Sequence, residues 1–178
     1  MGASTRHWRR TSAVELDPLS PQNHRFLAAT LVWQGKYDAA MEKNRNALDL
    51  DPNSAQCAVG WTNIQAGKFS LAIPELKKVY AIDSIGSAAG YLGFAYAASG
   101  DRTKATALIE QLGRESSGKF ISPAWPAIIY LGLGDRQRCL DGLDKAYEAG
   151  DPWLMQIKMD KGFDSATQRM YARCVCDE

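Results

Sequence analysis

Glycine recurs every 32 to 34 residues along most of this 178-residue chain, each time between two apolar stretches with helical periodicity. The four glycines are Gly35, Gly67, Gly100 and Gly134. Glycine readily adopts the left-handed conformation that ends a helix, so each position predicts a turn between two helices. One helix pair cannot bury its apolar face alone, and neighbouring pairs must stack to cover it. The pattern therefore predicts an all-α chain of four stacked helix-turn-helix units.

Small residues at fixed distances from each glycine indicate where the two helices of a unit cross. The small residues that precede the glycine by seven positions are Ala28, Gly60, Gly93 and Ala127. Those that follow it by five positions are Ala40, Ala72, Ala105 and Cys139. Two packed helices have axes only about 8–10 Å apart, so small side chains are expected at their crossing. A bulky residue at any of these positions should overpack the pair.

Proline marks the end of the second helix, in Asp51-Pro52 and Asp151-Pro152, because the residue before proline is disfavoured in the helical region. A unit near 34 residues with these small residues and this proline resembles the tetratricopeptide repeat. The resemblance covers roughly residues 11–152, and its last part is similar to the C-terminal tetratricopeptide regions of bacterial signalling and regulatory proteins. It implies a right-handed α-solenoid of antiparallel helix pairs.

Divided on this pattern, the chain is one solenoid domain over residues 1–178. Its segments are a remnant second helix (1–20), repeat 1 (21–52), repeat 2 (53–84), repeat 3 (85–119), repeat 4 (120–152) and a capping segment (153–178). Repeat 2 has two residues fewer between Asp51 and Gly67, so its first helix is expected to be short. Asn44 and Asn63 occupy positions that are usually apolar, which is expected to weaken the first two units.

Charge and composition argue against several classes of partner. The net charge is +1, so no general attraction to nucleic acid or to membrane surfaces is expected. The apolar stretches are too short to span a membrane, and no signal peptide is evident, so a cytoplasmic location is expected.

The four cysteines favour a reducing compartment and no metal. Cys57 and Cys139 stand alone within apolar helical patterns, where a free cysteine acts as a small hydrophobic residue. Cys174 and Cys176 have no second Cys or His pair at zinc spacing, and the role of these two residues is left open. Neither a metal nor a cofactor is predicted.

The stretch GRESSGKF, residues 113–120, is one residue away from a phosphate-binding loop. Gly113, four residues, Gly118 and Lys119 fit that motif, but Phe120 stands where the magnesium-binding hydroxyl belongs. The stretch follows a predicted helix, where carbonyl groups rather than amides lack partners, so a linker between repeats 3 and 4 is predicted. The alternatives are a nucleotide site here or a hydrolase that uses Ser116 and Lys119.

The resemblance also implies a groove lined by the first helix of each pair, where a protein or peptide partner would bind. The residues expected to face it are Arg25, Phe26, Ala29, Trp33, Cys57, Trp61, Ile64, Tyr91, Phe94, Trp125 and Ile128. These side chains are largely aromatic and nearly uncharged, so an apolar or aromatic partner is expected rather than an acidic C-terminal tail. The alternative for any single ring is packing between neighbouring repeats. The chain is therefore predicted to be a non-catalytic peptide-binding scaffold.

Both ends of the solenoid are expected to expose apolar side chains. The residues in question are Leu27, Leu31 and Met41 at one end and Trp153, Leu154, Ile157 and Met159 at the other, with Trp8, Val14 and Leu16 covering only part of the first unit. Two open ends are most simply covered by pairing two copies through a two-fold axis. The sequence therefore also predicts a homodimer.

Overall fold

The computed structural model describes residues 17–84, 86–116, 118 and 120–154. These residues form eight α-helices and contain no strand. The helices are α1 (Pro21–Trp33), α2 (Tyr37–Leu50), α3 (Pro52–Gln65), α4 (Phe69–Tyr80), α5 (Ser87–Ala98), α6 (Arg102–Glu115), α7 (Ala124–Gly132) and α8 (Arg136–Glu148). Consecutive helices pack as four antiparallel pairs, and the pairs stack into an all-α solenoid, as the glycine spacing predicts.

The turn inside each pair is set by its glycine. Gly35 has φ of +76°, a backbone conformation that residues with a Cβ atom rarely adopt. Its N–H donates to the Val32 carbonyl over 2.8 Å, and the Lys36 N–H donates to the Leu31 carbonyl over 2.9 Å. These two bonds satisfy carbonyl groups that the end of α1 leaves without helical partners. The same pair of bonds recurs at Gly67, Gly100 and Gly134, so the four turns share one geometry.

The expectation that the first helix of repeat 2 is short is wrong. This helix, α3, has 14 residues and begins at Pro52, immediately after Asp51. Asp51 is extended, with φ of −148° and ψ of 96°, as expected of a residue before proline. The two missing residues therefore shorten the connection between α2 and α3 and leave the helix at full length.

The small residues at the predicted crossings are buried. Ala28, Ala40, Ala72 and Ala105 are each at most 1% exposed. A Cβ atom at Gly60 would lie 2.5 Å from the Leu76 Cγ atom of its own pair, as the crossing argument predicts. The small residues therefore let the helix axes approach closely, which is the reason for their periodic placement.

The third and fourth repeats pack differently, with α5 directly against α7. A Cβ atom at Gly93 would lie 2.4 Å from Ile129 Cδ1 in α7, and a Cβ atom at Gly132 would lie 2.9 Å from Ala97 Cβ in α5. Gly93 therefore serves the contact between two repeats, and the sequence argument, which placed it at the crossing within repeat 3, assigned it to the wrong neighbour.

Asn44 links the first two repeats rather than weakening them. The side chain is 0% exposed, and its Nδ2 donates to Thr62 Oγ1 over 2.8 Å and to the Ala58 carbonyl over 3.3 Å. Both acceptors lie in α3, so a side chain of α2 holds the next repeat by hydrogen bonds.

Among the described helices, none has the length and apolar character needed to cross a membrane.

Candidate functional site

A groove of about 300 Å³ runs across the first helices of repeats 1, 2 and 3. Its lining residues are Gln22, Arg25, Phe26, Ala29, Trp33, Asn44, Cys57, Ala58, Trp61, Thr62, Ser87, Tyr91 and Trp153. We call this the aromatic groove, because five of these residues carry aromatic rings. The rings come from α1, α3, α5 and the segment after α8, so the groove exists only when three successive repeats are stacked.

Most of the residues that the sequence predicts for a groove lie together here. They are Arg25, Phe26, Ala29, Trp33, Cys57, Trp61 and Tyr91. Phe26 is the most accessible of the aromatic rings, at 62% exposed, whereas Trp61 packs partly against the core formed by Ala28, Val32 and Ala40. That these side chains bind a peptide stays a prediction.

The remaining predicted groove residues lie elsewhere. Ile128 and Ile64 are only 3% and 8% exposed, so the expectation that they face the groove is wrong. Phe94 contacts Phe69 of α4 edge to face, with ring centroids 6.3 Å apart, and so packs between repeats. Trp125 lies beside the groove, where its ring contacts those of Tyr91 and Trp153. Apolar residues on helix faces are more often core than surface, and that general rule applies at these positions.

Trp153, which follows α8 in the sequence, lines the groove beside Tyr91 of α5. Its indole Nε1 donates to the Tyr91 hydroxyl over 3.0 Å, and its ring centroid is 5.2 Å from that of Trp125. Asp151 holds the turn that carries Trp153, since one carboxylate oxygen accepts from the Trp153 backbone N–H over 2.9 Å and the other accepts from the Ser122 hydroxyl. A residue predicted only as part of a cap therefore forms a wall of the groove.

Three polar atoms of the groove residues have no hydrogen-bond partner among the described residues. They are Trp33 Nε1, Arg25 Nε and Asn44 Oδ1, and all three are buried. The first two are donors and the third is an acceptor. A buried polar group without a partner is unfavourable, so these atoms are candidates for contacts with a bound molecule.

The groove has little charge. Arg25 is the one charged residue among the described residues that line it. Burial raises the pKa of the Cys57 thiol, and this effect outweighs the hydrogen bond to Ser87 and the nearby Arg25, which both lower the pKa. The thiol is therefore protonated near neutral pH, so it lines the wall as a small apolar group and is a poor nucleophile.

A second cleft, of about 420 Å³, differs from the aromatic groove in character. It lies between α2 and α4 over α3, and its lining includes four charged residues: Asp38, Arg45, Lys68 and Glu75. Among the described residues that line the cleft, only Tyr37 has an aromatic ring. Substitutions in this cleft can therefore serve as controls for substitutions in the aromatic groove.

The stretch from Gly113 to Phe120 begins at the C-terminal end of α6. The Ser116 hydroxyl donates to the Gly113 carbonyl over 2.7 Å, and the Gly118 N–H donates to the Glu115 carbonyl over 3.2 Å. These contacts finish a helix, whereas a phosphate-binding loop opens one with converging N–H groups. Lys119 lies outside the described residues.

Comparison with solved structures identifies the architecture. The crystal structure of MamA protein matches 80% of this chain and 79% of its own chain, at 22% identity and a TM-score of 0.50. TTC0263, a thermophilic TPR protein in Thermus thermophilus, matches over 88% of this chain and 100% of its own, at 19% identity and a TM-score of 0.54. This chain has the tetratricopeptide-repeat fold. At these identities the likeness extends to the fold alone.

No protein-family model matches the sequence, and no curated protein matches it significantly. The tetratricopeptide-repeat fold is thus visible in the spacing of small residues and in the helix packing, while overall sequence similarity is low.

The sequence did not indicate that Asn44 and Trp153 line the groove. A polar residue at a usually apolar position was the available signal for Asn44.

The predicted open ends are only partly described. Leu154 is 5% exposed and packs in the core that contains Leu143 and Ala146, so the expectation that it lies at an open edge is wrong. Several residues of the predicted ends lie outside the described residues, namely Trp8, Val14, Leu16, Ile157 and Met159, as do Cys174 and Cys176.

Proposed function

We propose that this chain is a non-catalytic scaffold that binds a segment of another protein, as a peptide, in the aromatic groove. The observation that carries the proposal is the groove itself, in which five aromatic rings from α1, α3, α5 and the segment after α8 line a space of about 300 Å³. Aromatic side chains dominate binding energy at protein interfaces. The tetratricopeptide-repeat fold supports the proposal, because stacked repeats present extended surfaces that bind other chains.

The chemistry of the groove favours an apolar or aromatic peptide over an acidic tail. Arg25 is the one cation on the described lining, so several carboxylates would not find partners there. Phe26, Trp33 and Trp61 instead offer ring faces and edges on which apolar side chains can pack. A net charge of +1 gives no support to nucleic acid as the partner.

Two other functions have weaker support. Hydrolysis by Ser116 and Lys119 needs an activated hydroxyl, but the Ser116 hydroxyl donates to the Gly113 carbonyl at an exposed helix end. Nucleotide binding at 113–120 lacks the helix N-terminus that such loops open.

Pairing of two copies of the chain stays a prediction, and sedimentation equilibrium of the full chain tests it. Because Leu154 is a core residue, Leu31→Glu is the better variant for that test.

The proposal is tested by selecting a phage-displayed peptide library on the immobilised full chain. We expect enriched sequences to contain aromatic and large aliphatic residues and to bind in a fluorescence titration. Phe26→Ala and Trp61→Ala should each weaken binding by about tenfold or more, since aromatic anchors contribute roughly 2 kcal/mol on truncation. Met41→Ala, in the second cleft, is the matched control and should bind like the parent. Selection of no peptide, or equal losses in all three variants, would contradict the proposal.

A further inference from the structure

We propose that the edge of the solenoid at which each repeat connects to the next binds a basic amphipathic helix of another protein. Consecutive helices run antiparallel, so the turns within pairs lie at one edge and the connections between pairs lie at the other. We call the second of these the connection edge. It consists of the connections, the last turns of the helices that lead into them and the two flanking segments, namely the described residues within 17–20, 47–51, 77–84, 112–123 and 145–153.

Exposed apolar side chains are concentrated at the connection edge. Among the described residues, seven large hydrophobic side chains are exposed, and five of them lie here: Leu19, Leu50, Ile82, Phe120 and Tyr147. Ile82, Phe120 and Leu19 are 79%, 77% and 75% exposed, so packing in the core does not account for them. The four glycine turns at the opposite edge, all of them described, contain no exposed residue of this kind. Exposed apolar residues gathered on one side of a protein mark an interaction surface.

Hydrogen bonds join neighbouring connections into one surface. The Ser84 hydroxyl donates to Glu115 Oε2 over 3.4 Å, from the connection after α4 to the end of α6. The Ser122 hydroxyl donates to Asp151, from the connection before α7 to the segment after α8. None of the five exposed apolar residues lines the aromatic groove, so the connection edge is a separate surface.

The spacing of the repeats suits an α-helix that lies along this edge. The first helices of the pairs pack against one another in order, so successive connections lie roughly 10 Å apart, the diameter of a helix. An α-helix rises about 1.5 Å per residue, so every seventh side chain returns to the same face after about 10.5 Å. An extended strand covers about 10 Å in three residues, but the third side chain then points to the opposite face. A helix with an apolar residue at every seventh position therefore matches Leu19, Leu50, Ile82 and Phe120 in order.

The charge of the connection edge favours a basic partner. The described residues between and beside the helix pairs carry four carboxylates and no cation, namely Asp17, Asp51, Asp83 and Asp151. Leu19, Leu50 and Ile82 each have one of these aspartates within two positions. Lys119, outside the described residues, is the one cation in the sequence of the same segments. Lysine or arginine beside each apolar residue of a bound helix would therefore meet a carboxylate.

The last turns of the second helices carry both signs of charge, so the aspartates at the tips keep their effect. Their charged residues are Asp49, Lys77, Lys78, Arg114, Glu115, Lys145 and Glu148. Two of the cations already have partners. Lys78 Nζ pairs with Glu75 Oε2 over 2.9 Å, and Lys77 Nζ lies 6.0 Å from the centroid of the Tyr96 ring.

Two other occupants of an exposed apolar edge fit these charges less well. A membrane surface rich in anionic lipid would repel the aspartates. A second copy of the chain joined edge to edge would bring two sets of carboxylates together, which disfavours that pairing. A basic helix covers the apolar residues without either cost.

The test selects a phage-displayed library of helical peptides on the immobilised full chain. Each peptide has leucine at every seventh position of four heptads. The positions three and four residues after each leucine, which flank the leucine stripe on the helix, vary among lysine, glutamate and serine. The library is first depleted on Ile82→Ser, which removes peptides that bind elsewhere. We expect the recovered peptides to contain lysine severalfold more often than glutamate at these positions and to bind more weakly as salt is added.

Variants of the full chain locate the binding surface. Ile82→Ser and Phe120→Ser should each weaken a recovered peptide by about tenfold, because each loses an apolar contact, and both should fold like the parent because the side chains are exposed. Leu71→Ser is the matched control, since Leu71 is also exposed but lies in the first turn of α4, away from the connection edge, and it should bind like the parent.

Asp17→Asn tests the charge alone. Asparagine keeps an oxygen that can accept from the Leu19 backbone N–H, as Asp17 Oδ1 does over 3.2 Å. We expect binding to weaken by about two- to fivefold, with a smaller dependence on salt.

Recovery of no peptide after depletion, or equal use of lysine and glutamate, would overturn the proposal. Loss of binding in Phe26→Ala but not in Phe120→Ser would place the peptide in the aromatic groove instead. Two further measurements address the other occupants. Flotation with phosphatidylserine vesicles that Ile82→Ser abolishes would identify a lipid surface, and a dimer that Ile82→Ser dissociates in sedimentation equilibrium would identify a second copy. Each of these results would refute the basic helix.

Discussion

Gly93 of α5 lies so close to Ile129 of α7 that a Cβ atom at position 93 would be 2.4 Å from Ile129 Cδ1 and 2.5 Å from its Cγ1. Ile129 is 0% exposed, so its side chain is enclosed by core atoms and cannot turn out into solvent. The contact joins the first helices of repeats 3 and 4. It therefore sets how closely α5, which carries Tyr91, approaches α7, which carries Trp125.

We predict that Gly93→Ala lowers the free energy of unfolding by about 1–3 kcal/mol, as overpacked cores do. The matched control is Gly113→Ala in α6, where nothing lies within 4 Å of the new Cβ atom. Alanine is the better helix former, so the control should be neutral or more stable by up to about 1 kcal/mol. Urea unfolding of the two variants measures both changes.

Ile129→Ala removes the atoms that the new methyl group meets, so it provides a second check on the Gly93 contact. In the double variant Gly93→Ala/Ile129→Ala, the loss of stability should be smaller than the sum of the two single losses. Additive losses would show that the strain at position 93 has another source.

The hydrogen bond between Asn44 and Thr62 predicts a cost for Thr62→Val, which changes a hydroxyl to a methyl group at nearly constant volume. Thr62 is 1% exposed, and its Oγ1 accepts from Asn44 Nδ2 over 2.8 Å. We expect a loss of about 1–2 kcal/mol in the free energy of unfolding, because a buried donor loses a partner. Thr106→Val, on the exposed face of α6, should change stability by less than about 0.5 kcal/mol. Similar effects at both positions would contradict the role assigned to Asn44.

The contact between Trp153 and Tyr91 predicts energetic coupling between the segment after α8 and α5. Trp153→Phe keeps an aromatic ring but removes the Nε1 donor, and Tyr91→Phe removes the hydroxyl that accepts from it. A double-mutant cycle from chemical unfolding should give an interaction energy of about 0.5–1.5 kcal/mol, the range for a neutral hydrogen bond. An interaction energy near zero would mean that the ring contacts alone hold Trp153 at the groove.

The sequence predicts the repeat fold well because each turn and crossing depends on residue properties that are visible locally. Gly35 shows this, since its left-handed turn requires glycine and its position fixes where α1 ends. The groove was harder to predict. An apolar side chain on a helix looks the same in the sequence whether it faces a groove or packs against the next repeat. Ile128 and Trp33 are both large and apolar, yet only the second lines the groove. The deciding factor is how neighbouring repeats pack against each other, which no single helix specifies.

Contacts between residues that are distant in the sequence could not be predicted for the same reason. Trp153 meets Tyr91 across 62 positions, and nothing near either residue indicates the other. Asn44 was identified as unusual but was assigned the wrong effect, because its partners in α3 depend on the short connection at Asp51. Polar residues at apolar positions are better treated as predictions of a specific partner than as weak points.

Cys139 provides a prediction for alkaline pH. Burial raises the pKa of its thiol from the ordinary 9.0 to about 11, with a further contribution from the Asp135 carboxylate. In the unfolded chain the thiol loses its proton near pH 9, whereas the folded chain keeps it until about pH 11. Between these values the folded state binds more protons, so the free energy of unfolding falls as the pH rises. Below pH 9 both states are protonated, and the full contribution is present.

Each unit of pKa difference corresponds to about 1.4 kcal/mol, so this thiol accounts for a loss of roughly 2–3 kcal/mol by pH 11. Cys139→Ala removes the titration, and the fall in stability between pH 8 and pH 11 should be smaller in the variant by about that amount. Lysine and tyrosine side chains titrate in the same range, but they are common to both proteins and cancel in the comparison. Urea unfolding of the parent and the variant at intervals of one pH unit measures the difference. Parallel curves would show that the Cys139 thiol reaches solvent and ionises while the α7–α8 pair is still folded.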